Sequence, residues 1–176
     1  MRVGRCRLAA QAVRLWCVPL RPATPGDLDT VIELIHGLAA YEREPDAVHL
    51  DRDQLRQHLF GPRPYAEVVL AETDDGASAG FALFFHNFST WEGKPGIWLE
   101  DLFVRSEFRG RGYGKALLTE LARIAVERGC ARFEWSVLDW NEPSIAFYKA
   151  MGAVAMDDWT TYRLAGEALA AAGRQR

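Results

Sequence analysis

The sequence predicts a mixed α/β fold built as one domain. Three observations carry this. Apolar runs of strand length (66–72, 79–86 and 97–104) alternate with segments of helical periodicity. Residues 97–104, 115–128 and 131–137 read as strand, helix and strand, a crossover that implies parallel pairing. The 176 residues show no repeat and no linker, and that length suits one sizeable core.

The elements follow in chain order. Residues 15–21 read as a first strand, stopped by Pro22 and Pro25. Thr24 or Asp27 caps a helix whose apolar positions are Leu28, Val31, Ile32, Leu34, Ile35, Leu38 and Ala39, ending near Tyr41. Asp51 or Asp53 opens a shorter helix through Leu55, Leu59 and Phe60, broken by Gly61-Pro62. Residues 66–72 and 79–86 form a hairpin about the turn Thr73-Asp74-Asp75-Gly76. The polar stretch 87–96 (NFSTWEGKPG) reads as a loop, and 97–104 (IWLEDLFV) as a long apolar strand carrying two adjacent acids. Residues 105–114 form a Gly- and Arg-rich turn ahead of the helix 115–128. After the strand 131–137 come a helix over 141–151, a last strand over 160–164 and an Ala-rich tail of helical character.

Composition narrows the function. Apolar residues make up 49% and charged residues 26%, the balance of a folded globular chain rather than a disordered one. The net charge of −3 is unevenly spread: residues 1–21 carry five Arg and no acid, residues 22–101 sum to −10, and residues 102–176 to +2. That pattern argues against a general nucleic-acid binder and for an acidic and a mildly basic half facing different ligands. Cys6, Cys17 and Cys130 are too few and scattered for a disulfide framework or zinc site, so a cytoplasmic setting is expected. No apolar run is long enough for a membrane span. Residues 1–17 read as an extension outside the domain at 18–170; a disordered segment, a mis-assigned start and an Arg-rich targeting segment stay open. His36, His49, His58 and His86 have no metal-ligand spacing, and no metal is expected.

The strongest local signal is Arg109-Gly110-Arg111-Gly112-Tyr113-Gly114. Between a strand and a helix, such a turn leaves backbone N–H groups at the positive end of the helix dipole. Glycines let an anion approach, and the flanking arginines add charge. A diphosphate is the natural ligand; the competing reading is a solvated turn. No Gly-Lys-Ser/Thr follows, so it is not a P-loop, and the glycine spacing is not the dinucleotide fingerprint.

Arg109-x-x-Gly112-x-Gly114 after Leu99-Glu100-Asp101-Leu102-Phe103-Val104 resembles the acetyl-CoA-binding motif of the GNAT superfamily of N-acetyltransferases. Asn141-Glu142-Pro143-Ser144-Ile145-Ala146-Phe147-Tyr148-Lys149 resembles its C-terminal motif. Leu38-Ala39-Ala40-Tyr41-Glu42 and Trp91-x-Gly93-Lys94 are similar to the diamine (spermidine/spermine) acetyltransferases and their thialysine-acetylating relatives. The resemblance spans roughly residues 18–165 and leaves residues 1–17 outside. It implies a strongly twisted mixed sheet flanked by helices, with a splayed central strand pair that admits acetyl-CoA. Leu102, Phe103 and Val104 would pair with the pantetheine arm. Arg109, Gly110, Arg111, Gly112, Tyr113, Gly114 and Lys115 would hold the pyrophosphate. Asn141 would lie beside the pantetheine and Tyr148 near the sulfur. A homodimer is also implied.

Acetyl transfer to an amine needs a deprotonated nitrogen, a donor for the developing oxyanion and a proton for the leaving thiolate. The acetyl group arrives on the cofactor, so direct attack needs no enzyme nucleophile. Glu100, on the central strand, is the candidate base, acting through a water; the alternative is a structural ion pair. Strand alternation puts Asp101 on the opposite face. Tyr148 is the candidate acid, on a helix capped by Asn141 with Pro143 in its first turn. An extended cationic acceptor calls for spaced carboxylates and aromatic walls, and Tyr41, Glu42, Trp91, Glu100 and Asp101 form that set. The expected reaction is acetyl-CoA-dependent N-acetylation of a small polyamine, diamine or thialysine-like amine, without a nucleic-acid or membrane partner. The alternatives are an acetyltransferase for a protein lysine, N-terminus or aminoglycoside, and a non-catalytic acyl-CoA sensor.

Overall fold

The five strands lie in the sheet in the order in which they occur in the chain. The structure, a computed structural model, describes residues 18–174. Strands β1 (Leu20–Pro22), β2 (Glu67–Glu72), β3 (Ser78–Ser89) and β4 (Lys94–Val104) pair antiparallel in succession, and β5 (Phe133–Trp135) pairs parallel to β4. The chain divides into two compact units between Ser136 and Val137. The first holds the sheet with helices α1 (Leu28–Tyr41), α2 (Arg52–Phe60) and α3 (Tyr113–Glu127); the second holds α4 (Glu142–Ala150) and α5 (Gly166–Arg174).

Side-chain alternation splits the sheet into two apolar faces. Val68, Leu70, Phe81, Leu83 and Phe103 cluster with Val31 and Leu34 of α1 and Leu59 of α2. Residues of opposite parity, such as Val69, Ala82 and Phe84, are buried too, as are Leu117, Leu118 and Leu121 of α3, which packs on β2, β3 and β4. The sequence periodicity of α1 and α3 is thus realised as two amphipathic covers. Asp51 rather than Asp53 caps α2, its side chain accepting from the Gln54 N–H at 2.8 Å. β4 lies tight against β3 at Gly80, where an added Cβ would fall 2.3 Å from the Phe103 carbonyl oxygen.

Two sequence expectations change. The segment 87–96 is not a loop: β3 runs on to Ser89 and β4 begins at Lys94, with Asn87↔Gly96, Phe88↔Pro95 and Ser89↔Lys94 paired about a four-residue turn. The polar composition suggested a loop, but the register set by the apolar pairs continues to the hairpin tip. The strand over 160–164 is absent; Trp159, Tyr162 and Leu164 are exposed in irregular backbone. Alternation gives a segment the pattern of a strand, but a strand also needs a partner edge. The first strand begins only at Leu20, and its predicted residues 15–17 lie outside those described, as does the N-terminal extension 1–17. Among the described residues no helix is long and apolar enough to cross a membrane, and no group of three or more His, Cys, Asp or Glu could hold a metal ion.

Candidate functional site

A bulge in β4 sets the geometry of the acidic residues. Leu83 pairs with Asp101, while the next β3 residue, Phe84, pairs with Leu99, so Glu100 is left over. The Trp98 indole Nε1–H donates to Glu100 Oε2 at 2.9 Å, which puts those two side chains on one face. Trp98 opposes Phe85 and Asp101 opposes Leu83, two β3 residues that share a face. Glu100 and Asp101 therefore project to the same side of the sheet, the side covered by α1. This corrects the expectation that they point apart: simple alternation fails across a bulge.

The third acid reaches this face from α1. Glu42 is the C-cap residue, its N–H bonded to the Leu38 carbonyl at 2.9 Å. Arg43 follows with a left-handed φ of 68°, and the helix closes through Arg43 N–H to Ala40 O and Glu44 N–H to Ala39 O. Burial, then the nearby charges of Glu100 and Glu42, push Asp101 up to about 6. Burial alone raises Glu42. Glu100 is exposed, whereas Asp101 and Glu42 are half-buried. A partly desolvated cluster of carboxylates of this kind is stabilised by a bound cation. Trp91, placed by sequence in the same set, sits at the β3–β4 hairpin tip and is 89% exposed. Six residue steps of strand carry the chain from Lys94 to Glu100, about 20 Å, so within this chain the structure does not bring Trp91 to the acids.

The far end of β4 is open. β5 pairs with Ile97, Trp98 and Leu99, and among the described residues, 100–104 have no strand partner on that side. The Arg105 N–H bonds Ala79 O at 2.9 Å, so the neighbouring Gly80↔Val104 pair and the Ala82↔Leu102 pair are of the non-hydrogen-bonded kind. The backbone groups of Leu102 and Val104 thus face the open edge. Those of Phe103 face Phe81 instead, which corrects the expectation that Phe103 also offers its backbone to a ligand; its side chain is core. Arg105 fixes the following turn, donating to Ser78 O at 2.9 Å and to Glu33 of α1 at 2.7 Å.

In the turn, Gly110 and Gly112 take φ of 73° and 90°, and Gly112 is the N-cap of α3. A Cβ at either would enter open space. The amides of Tyr113, Gly114 and Lys115 precede the first intrahelical bond, Ala116 N–H to Gly112 O, and no acid stands in the first turn. Arg111, Gly112, Arg109 and Lys115 are exposed; Tyr113 packs edge-on against Phe108 at 5.9 Å. Donor-rich backbone, basic side chains and room at the glycines fit a diphosphate, and the open edge of β4 fits an extended amide-bearing arm.

Arg109 was expected at the anion. Its Nε–H instead donates to Val104 O at 2.9 Å, and its guanidinium lies 4.4 Å from the centroid of the Tyr41 ring and 5.6 Å from that of Phe103. Sequence reasoning missed this contact and the Trp98–Glu100 bond. The first joins distant segments and has no spacing signal; the second is an i, i+2 pair whose shared face follows from strand alternation, and only the arrival of Asp101 on that face depends on the bulge.

In the second unit, the buried Asn141 caps α4, its Oδ1 accepting from Ser144 N–H at 3.4 Å, with Pro143 in the first turn. Tyr148 is half-buried on that helix, its ring 5.4 Å from that of Phe147. The expected cap is thus present.

Comparison with known proteins agrees with this architecture. The acetyltransferase (GNAT) family matches residues 31–153. Thialysine N-epsilon-acetyltransferase of Sus scrofa is 33% identical over 162 residues, covering 86% of this chain and 95% of that protein. L-ornithine N5-acetyltransferase NATA1 of Arabidopsis thaliana is 33% identical over 196 residues, covering 86% of each. Among solved structures, an integron cassette protein from the mobile metagenome of V. cholerae superposes with a TM-score of 0.74 at 28% identity, covering 90% of this chain and 98% of that one. With a sheet open beside β4, a glycine turn at the head of α3 and a family match across most of the sequence, the chain belongs to the acetyltransferase (GNAT) family and is an N-acetyltransferase.

Proposed function

We propose that the protein transfers an acetyl group from acetyl-CoA to a primary amine of a small cationic acceptor, a diamine, polyamine or thialysine-like amino acid. The single observation that carries this reading is the convergence of Glu42, Glu100 and Asp101 on one face beside the open edge of β4. Relatives that act on thialysine and ornithine support it.

Acetyl-CoA, when bound, supplies the acetyl thioester. The turn amides and Arg111 and Lys115 hold its diphosphate, and the backbone groups of Leu102 and Val104 hold its arm. Asp101 and Glu42 take the distal positive charge of the acceptor. A cation beside Asp101 favours its ionised form, so the carboxyl releases its proton as the acceptor enters. Glu100, exposed to solvent, takes the proton from the attacking amine through a water. Tyr148 gives a proton to the departing sulfur, and Asn141 fixes the helix that carries it.

The test is an acceptor screen with acetyl-CoA, reading free thiol over diamines, spermidine, thialysine, ornithine, lysine and an aminoglycoside. Turnover is expected with the short dications, and no turnover with any cationic amine would refute the reading.

A further inference from the structure

Arg109 belongs by sequence to the anion-binding turn, yet its side chain is engaged elsewhere. Its guanidinium covers the Tyr41 ring at 4.4 Å, and its Nε–H is spent on the Val104 carbonyl at 2.9 Å. Tyr41 immediately precedes Glu42, one of the acids proposed to take the acceptor. Val104 is the outermost residue of the open edge proposed to take the cofactor arm. One side chain therefore occupies an aromatic cation site at the acceptor end and a carbonyl at the cofactor end.

We propose that Arg109 is a positioning residue that couples the two substrate sites. Without cofactor it caps Tyr41 and Val104. A diphosphate in the turn draws the guanidinium off, because a charge-assisted, bidentate contact to phosphate is stronger than an exposed cation–π contact. Its departure frees the Val104 carbonyl for the cofactor and the face of Tyr41 for the acceptor's ammonium. Two cations cannot share one ring face, so acceptor binding improves once the cofactor is in place. The inference rests on the cofactor and acceptor sites proposed above, and it adds the link between them.

The experiment uses the full-length protein with CoA and, as acceptor probe, 1,4-diaminobutane. Calorimetry measures CoA binding and then diamine binding with and without saturating CoA. In parallel, the Nε–H resonance of Arg109, assigned through Arg109→Met and shifted by the Tyr41 ring current, is followed during the CoA titration. The expected result is that CoA moves this resonance to its unstacked position and tightens diamine binding about 2–5-fold, the strength of one exposed cation–π contact. In Arg109→Met the diamine binds the cofactor-free protein as tightly as the loaded wild type, and the coupling disappears. The variant Tyr41→Leu moves the resonance without CoA, and in it CoA no longer tightens diamine binding. CoA heat with an unmoved resonance, or equal coupling in Arg109→Met, would overturn the coupling alone. Absence of CoA heat would overturn the cofactor site and the coupling together, and diamine silence with a shifted resonance would locate the failure in the acceptor reading.

Discussion

Glu100 and Asp101 are adjacent in sequence and face the same side of β4. The bulge opposite Leu83 and Phe84 makes this possible, and Trp98 holds Glu100 in place through its indole N–H. Two carboxylates that alternation would separate instead share one field, with Glu42 as a third.

The first consequence is a pH dependence of acceptor binding. Asp101 is pushed up to about 6 by burial and its acidic neighbours, and the ionised form is the one that attracts a cation. Acceptor KM is expected to fall as pH rises through about 6. In Asp101→Asn it is higher and nearly flat over that interval. Steady-state kinetics across this range check it, and a flat wild-type profile would remove Asp101 from acceptor binding.

Stability gives the same residue a second, opposite signature. The folded-state value lies above the unfolded 3.8, so ionising Asp101 costs the fold stability. The cost is absent below the unfolded value, grows between there and about 6, and is complete above. Asp101→Asn is expected to raise Tm by a few degrees at about pH 8 and to leave it unchanged at about pH 3. Thermal melts at the two values decide it.

Glu100→Gln removes the proposed proton acceptor and leaves the Trp98 contact sterically possible. The expected loss is about 10²–10⁴-fold in kcat at neutral pH, with partial recovery at high pH, where the amine deprotonates unaided. A constant ratio between mutant and wild type across the pH–rate profile would show that Glu100 does no proton transfer.

Tyr148→Phe keeps the ring and removes the hydroxyl. Acetyl-CoA affinity is expected to hold while kcat falls about 10²–10⁴-fold. Calorimetry with single-turnover kinetics separates the two quantities, and wild-type turnover would remove Tyr148 from the chemistry.

Gly112 heads α3 at φ 90°. In Gly112→Ala that left-handed backbone is strained by about 1–3 kcal/mol, and the turn amides shift. CoA is expected to bind about ten-fold more weakly or worse, read by calorimetry. An unchanged Kd would mean that the turn does not hold the diphosphate.

Much of the fold was legible from periodicity. The apolar positions between Leu28 and Ala39, and between Leu117 and Val126, repeat at helical spacing and lie in α1 and α3. The turn at Gly110 and Gly112 was legible because left-handed backbone selects glycine. The bulge was not, because Leu99-Glu100-Asp101 carries no glycine or proline to mark it; it appears only when β3 is laid alongside. Arg109 on Tyr41 was hidden for the same reason: the contact joins residues 68 positions apart. The hairpin through Asn87 and Gly96 was obscured by its polar composition, since cross-strand register is a property of two segments together.

The central claim is that the acidic face selects a second positive charge on the acceptor. Its most direct measurement is kcat/KM for two acceptors of equal length, 1,4-diaminobutane and 4-amino-1-butanol, with wild type and Asp101→Asn. The account predicts that wild type prefers the diamine by about ten-fold or more, the worth of one hydrogen bond between charged groups, and that the preference falls in Asp101→Asn. Equal kcat/KM for the two acceptors in wild type, or a preference undiminished in Asp101→Asn, would contradict it.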